Sequence, residues 1–198
     1  MTTDEVVVTM PGLELLEEAR GVSEEFWIRT GGLSAFGGAL RIFPSKASVQ
    51  LPSMAQWNDF EGWRGHYRHL APRWPIIGED SFGTQYLLDP EHEQVSIFWA
   101  ETAEIEAVGV SPAEFLEMII ADPEETISLR LYQQCVGRYG ELQLRQHFAF
   151  RVELAVGGSP EVNNIVVMTA AEHMVALASI ALQIREIPLK SQLTPTRD

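Results

Sequence analysis

"IIGEDSFGTQYLLDPEHEQVSIFW", residues 76–99, is the stretch on which the fold turns. "QYLLD" and "VSIFW" are short runs rich in β-branched, aromatic and aliphatic residues. The polar segment "PEHEQ" separates them, which suits a hairpin. Gly83 stands just before the first run, and the segment opens two readings, a catalytic carboxylate pair or a strand entry with a tight backbone. Glu79 and Asp80 sit between Gly78 and Gly83 at the entry. In extended chain, adjacent side chains point to opposite faces, so the two carboxylates would not converge on one substrate atom. That spacing is poor support for an acid/base pair.

Outward from the hairpin, helices and further strands alternate. "SPAEFLEMII" has Ser111 as N-cap, Pro112 at the first helical position and Glu114 completing a capping box. Asp122-Pro123 starts another helix, with Ile127, Leu131, Cys135 and Tyr139 spaced by four and Gly140 beyond its end. "FAFRVELAV" alternates, placing Phe148, Phe150, Val152, Leu154 and Val156 on one face of an expected strand. "GGSPEVNN" is a turn cluster, "IVVM" a short buried strand, and "TAAEHMVALASIALQI" a helix capped by Thr169 and Glu172. That helix is apolar nearly all round and is expected to be largely buried. Upstream, "GLELLEEARG" and "SEEFWIRTGG" suit two short helices, and "GGLSAFGG" reads as a helix end and turn. "ALRIF" reads as a strand stopped by Pro44. Ser53 and Gln56 form another capping box, after which Trp57 and Phe60 would share a helical face. The tail after Pro188 reads as loose.

The chain has 198 residues, 45% of them hydrophobic, enough for a substantial core. Its net charge of -14 is lopsided. Residues 1–123 hold 20 acidic and 7 basic side chains, net -13, whereas 124–198 hold 8 and 7, net -1. Such a field repels nucleic-acid phosphates and anionic membranes and attracts basic partners. One cysteine, Cys135, excludes an internal disulfide and a multi-cysteine metal site. The N-terminus lacks the basic start and apolar core of a secretory signal, and no apolar run is long enough to span a bilayer. A cytoplasmic location is the expectation.

The candidates for chemistry are few. His66 and His69 have the i,i+3 spacing of metal ligands, but Arg64, Arg68 and Arg73 make their surroundings basic, so no metal is expected. His173 reads as a hydrogen-bonded structural histidine, His147 as lying on the polar side of its strand, and Cys135 as a buried thiol. There is no nucleophile elbow, P-loop or dinucleotide fingerprint, and no cofactor is expected. Trp27 and Trp99 read as core. Trp57, Trp63 and Trp74 lie in a polar, proline-containing stretch and divide between core and interface anchors.

Two stretches together resemble the SUKH superfamily, known mainly as bacterial immunity proteins of polymorphic toxin systems and including a fungal cell-wall-synthesis regulator. "VSEEFWIRTGGLSAFGGALRIFPS", from Val22, is similar to that family's opening helix, glycine turn and first strand. The segment from Ile76 to Ile120 is similar to its turn, aromatic-rich strand, Asp-ended hairpin and closing helix. "FGTQYLLDP" resembles the branch found with type VI secretion immunity proteins. The resemblance implies an α+β fold, a mostly antiparallel twisted sheet flanked by helices, over residues 1–121. Residues 122–198 would be an appended helix-strand-strand-helix region packed on it. It implies a non-enzymatic protein binder, with a cognate toxin as partner and an intracellular adaptor or regulator as the alternative. Charge adds an inference of its own: Glu79, Asp80, Asp89, Glu91, Glu93, Glu101, Glu104 and Glu106 would form an acidic face for a cationic partner such as a basic nuclease surface, with Trp57, Trp63 and Trp74 as anchors. A hydrolase using Glu79 or Asp80 is the third reading.

Overall fold

The computed structural model describes residues 8–10, 32–44, 46, 51–143 and 145–186. The expected N-terminal helices, Trp27 and the tail after Pro188 lie outside them. Seven strands form one sheet in chain order: β1 (Val8–Met10), β2 (Leu33–Ala35), β3 (Leu40–Ile42), β4 (Ile76–Asp80), β5 (Gln85–Asp89), β6 (Gln94–Trp99) and β7 (Glu104–Ala107). β1 runs parallel to β2, and every later pairing is antiparallel. The helices are α1 (Met54–Trp57), α2 (Pro112–Ala121), α3 (Pro123–Ile127), α4 (Leu129–Tyr139) and α5 (Ala170–Glu186). A separate ribbon pairs β8 (Gln146–Phe150) with β9 (Ile165–Thr169). The chain is α+β, as expected.

The β5–β6 hairpin forms where the sequence places it, and its loop is held by Asp89. One carboxylate oxygen accepts the Glu91 N–H at 2.9 Å, and the other lies 2.8 Å from the His92 ring. The capping boxes at Ser53/Gln56 and Ser111/Glu114 are both closed, and at the start of α5 the Thr169 hydroxyl accepts the Glu172 N–H and donates to the Glu172 carboxylate. Each box satisfies N–H groups that a helix start leaves without partners.

Several expectations are corrected. "LSA" at residues 33–35 is a strand rather than the end of a helix, and the tight turn is confined to Phe36–Gly38. α1 stops at Trp57, so Phe60 never joins its face and is 58% exposed. The helix expected from Pro123 to Tyr139 breaks at Ser128, which adopts φ +50° and separates α3 from α4. β8 ends at Phe150 because the Asn164 side chain accepts the Val152 N–H and donates to the Val152 carbonyl, bending the chain away. Val152, Leu154 and Val156 are therefore exposed instead of continuing a buried face. α5 buries one side only, through Ala170, His173, Met174, Leu177, Ala178 and Ala181.

The sheet has a core on each face. One joins Leu40, Ile42, Tyr86 and Val95 to Phe115, Leu116 and Ile119 of α2, Tyr132 and Cys135 of α4, and Phe148 and Ile165 of the ribbon. The other joins Phe43, Ile76, Leu87 and Phe98 to Trp57, Trp63 and Tyr67, closed by Met174, Leu177, Ala178 and Ala181 of α5. Each core takes side chains from both sides of residue 121.

Candidate functional site

Register carries one transverse row of paired positions across the sheet: Ser34, Arg41, Glu79, Gln85, Phe98 and Ile105. Paired residues on adjacent strands share a face, and the middle of the row is covered by α5 and β8: Gln85 reaches Met174, Phe98 packs in the same core as Leu177, and Arg41 reaches the Gln146 carbonyl. The row grades from charged at β3 and β4, through amide at β5, to apolar at β6 and β7.

Its charged part is sealed. Arg41 is 0% and Glu79 1% exposed. A guanidinium nitrogen of Arg41 lies 3.2 Å from Glu79 Oε1, and the other donates to the Gln146 carbonyl at 2.7 Å. Gln85 donates to Glu79 Oε2 at 3.2 Å and accepts the Trp57 indole N–H at 2.7 Å. His147 of β8 brings Nε2 to 3.2 Å from Glu79 Oε2, off hydrogen-bond alignment. Its Nδ1 meets Nδ1 of His173 at 3.1 Å, and Nε2 of His173 lies 3.4 Å from Glu153 Oε1.

Burial raises the Glu79 pKa, but His147, Arg41 and the Gln85 amide outweigh it and hold the carboxyl below its usual range. Burial pushes His147 down to about 4, so the ring is neutral at neutral pH. A lone pair on its Nε2 would face a carboxylate, so Nε2 carries the hydrogen and Nδ1 accepts from His173.

Asp80 points elsewhere. Its Oδ1 accepts the N–H groups of Phe82 and Thr84 at 2.8 and 2.9 Å, and burial raises its pKa to about 6. Gly83 closes this turn at φ +99°, and a Cβ there would stand 3.1 Å from both His173 Cε1 and Leu177 Cδ1. The glycine is thus required by conformation and by the close approach of α5. Outside the turn, a cleft of about 150 Å³ is lined by Asp80, Glu101, Glu125 and Glu153, with Trp99, Phe150 and Leu154 among its apolar walls and no Lys, Arg or His in its lining.

The eleven residues expected in one partner-binding set divide. Glu79, Asp80 and Asp89 are buried, so they supply no part of an exposed acidic face. Trp57 and Trp63 are core, with ring centroids 5.4 Å apart and planes tilted by 50°, and Trp74 is half-buried. Glu101 is half-buried, accepts the Ala155 N–H, and is raised in pKa by burial. Glu91, Glu93, Glu104 and Glu106 are exposed. Trp99, expected in the core, is 39% exposed and donates its indole N–H to Glu106 at 2.9 Å. His66 and His69 are exposed on a 3₁₀ segment broken at Arg68. Among the described residues, no group of three or more His, Cys, Asp or Glu side chains is placed to hold a metal, and no helix is long and apolar enough to cross a membrane. Sequence reasoning singled out neither Arg41, Gln85 nor Glu153. The available signal was an arginine between Leu40 and Ile42 in an apolar strand, a position that demands a buried counter-charge.

Fold and site together define an α+β protein whose charges are split between a sealed interior cluster and an exposed acidic sheet edge. The family model described as "T6SS immunity protein Tdi1, C-terminal" matches residues 114–181, from the first turn of α2 into α5. No curated protein matches the chain. The crystal structure of Atu4351 from Agrobacterium tumefaciens is similar over 88% of this chain and 83% of its own, with a TM-score of 0.53 and 17% identity. A likeness at that identity speaks for the fold.

Proposed function

We propose that this chain is a non-enzymatic, SUKH-like immunity protein that acts in the cytoplasm by binding and neutralising a cognate toxin of a type VI or other polymorphic secretion system. The observation that carries the reading is the match of residues 114–181 to a family described as a type VI immunity protein. The geometry supports a binder: Glu79 is sealed against Arg41, and Asp80, at the border of the cleft, has its Oδ1 committed to the N–H groups of its own turn. Exposed Glu91, Glu93, Glu104 and Glu106 suit a basic partner surface, such as that of a nuclease, and would accelerate encounter by long-range attraction.

The test is co-expression with the product of the adjacent gene. A 1:1 complex that restores growth of cells carrying that product is expected, with an association rate that falls as salt rises. No complex and no protection would overturn the reading. A salt-insensitive association rate would remove its electrostatic part alone.

A further inference from the structure

β7 ends the sheet: among the described residues it pairs with β6 and with no strand on its other side. All four of its residues are exposed. An edge strand offers unpaired backbone N–H and C=O groups to another chain, and proteins discourage this with short edges and with charge. Here the charge is of one sign and one face. Glu104 and Glu106 share a face with Trp99, whose indole already touches Glu106, whereas Ile105, paired with Phe98, points to the opposite face and is 47% exposed.

We propose that β7 is a docking edge for an extended basic segment of a partner protein, added as an eighth strand and alternating cationic with apolar residues. The proposal rests on the binding role above and names where and how it would occur. Alternation follows from the pleat: successive side chains of an added strand face opposite ways, so cations would lie over Glu104, Glu106 and the Trp99 ring while apolar residues meet Ile105. The chain itself shows how a guanidinium sits at this edge. Arg185 of α5 donates to the Thr102 carbonyl at 3.0 Å and lies 3.4 Å from Glu104 Oε1. Charge also decides against a second copy, because two β7 edges would bring glutamates of the same sign together.

The experiment uses the full chain and a synthetic peptide of six alternating Lys and Val residues, with hydrogen exchange read at each amide. Binding that protects β7 amides is expected, with Kd weakened about tenfold in Glu104→Lys/Glu106→Lys and unchanged in the charge-matched Glu141→Lys/Glu161→Lys, two exposed glutamates outside the seven-stranded sheet. Methylating alternate peptide nitrogens should abolish binding. Equal weakening in both double variants, or protection away from β7, would overturn the docking edge. So would a dimer of the free chain joined through β7, or β7 protection in the free chain that vanishes on deleting residues 187–198. Melting temperature checks that the variants remain folded. Exchange on the complex with the adjacent gene product separates the two claims: binding with β7 unprotected defeats this one, and peptide binding without any toxin complex defeats the immunity reading.

Discussion

Two buried side chains, Asp80 at the end of β4 and His147 of β8, respond to acid with opposite sign. Asp80 has a folded pKa near 6 against an ordinary 3.8, so its neutral form suits the fold. That contribution is present below the ordinary value and lost as pH rises through 6. His147 has a folded pKa near 4 against 6.5, so its neutral form suits the fold as well. Its contribution is present above 6.5 and lost as pH falls through 4. Each is worth up to about 3 kcal/mol, and across the interval between them they largely offset. Asp80→Asn keeps the acceptor for the Phe82 and Thr84 N–H groups and removes the carboxylate. Urea denaturation should therefore show a gain of up to about 3 kcal/mol at pH 7 and none below pH 4, leaving a profile that falls steadily on acidification. An unchanged pH profile would refute the account. At Glu79 the expected effect is loss: Glu79→Ala leaves Arg41 buried without its carboxylate and should cost about 3–5 kcal/mol. The double replacement Arg41→Met/Glu79→Leu should recover most of that, because the pair is costly to break and cheap to replace by apolar side chains.

At the scale of elements, local chemistry and tertiary geometry divide what the sequence made legible. The hairpin, the capping boxes and the start of α2 were readable because their signals lie within a few residues of one another. The break at Ser128 was not, since the apolar spacing runs straight through it and only a left-handed residue inserts the bend. The early end of β8 was hidden for a similar reason: the alternation persists to Val156, but Asn164, distant in sequence, captures the backbone at Val152. The polar row was half legible. Arg41 and Glu79 each interrupt apolar strands, yet only the β3–β4 register sets them side by side. Gly83 is where an element-level reading has a consequence. Gly83→Ala should destabilise the protein by about 1–3 kcal/mol, by straining φ and by pressing on His173 and Leu177. Equilibrium denaturation would show it as a lower midpoint with an unchanged slope. A neutral result would mean that α5 yields to the added methyl group.

Over the whole molecule, the boundary expected at residue 121 marks a change of sequence character more sharply than a change of structure. The acidic excess ends there, but the packing does not. Phe148 and Ile165 complete the core on one face of the sheet, and Met174, Leu177, Ala178 and Ala181 complete the other. The seam between the two parts is also where Arg41 and Glu79 lie, with the Gln146 carbonyl and His147 above them. Removing residues 122–198 would thus uncover both apolar faces and a fixed ion pair at once, and no local rearrangement of the sheet satisfies both. A chain ending at Ala121 should lack the sharp thermal transition of the full protein and bind a hydrophobic dye strongly, while the full chain binds little. Adding residues 122–198 in trans should restore a cooperative transition if their packing alone is missing. A fragment that melts cooperatively by itself would show that the acidic part folds independently, and the shared cores would then be an accretion on a self-sufficient sheet.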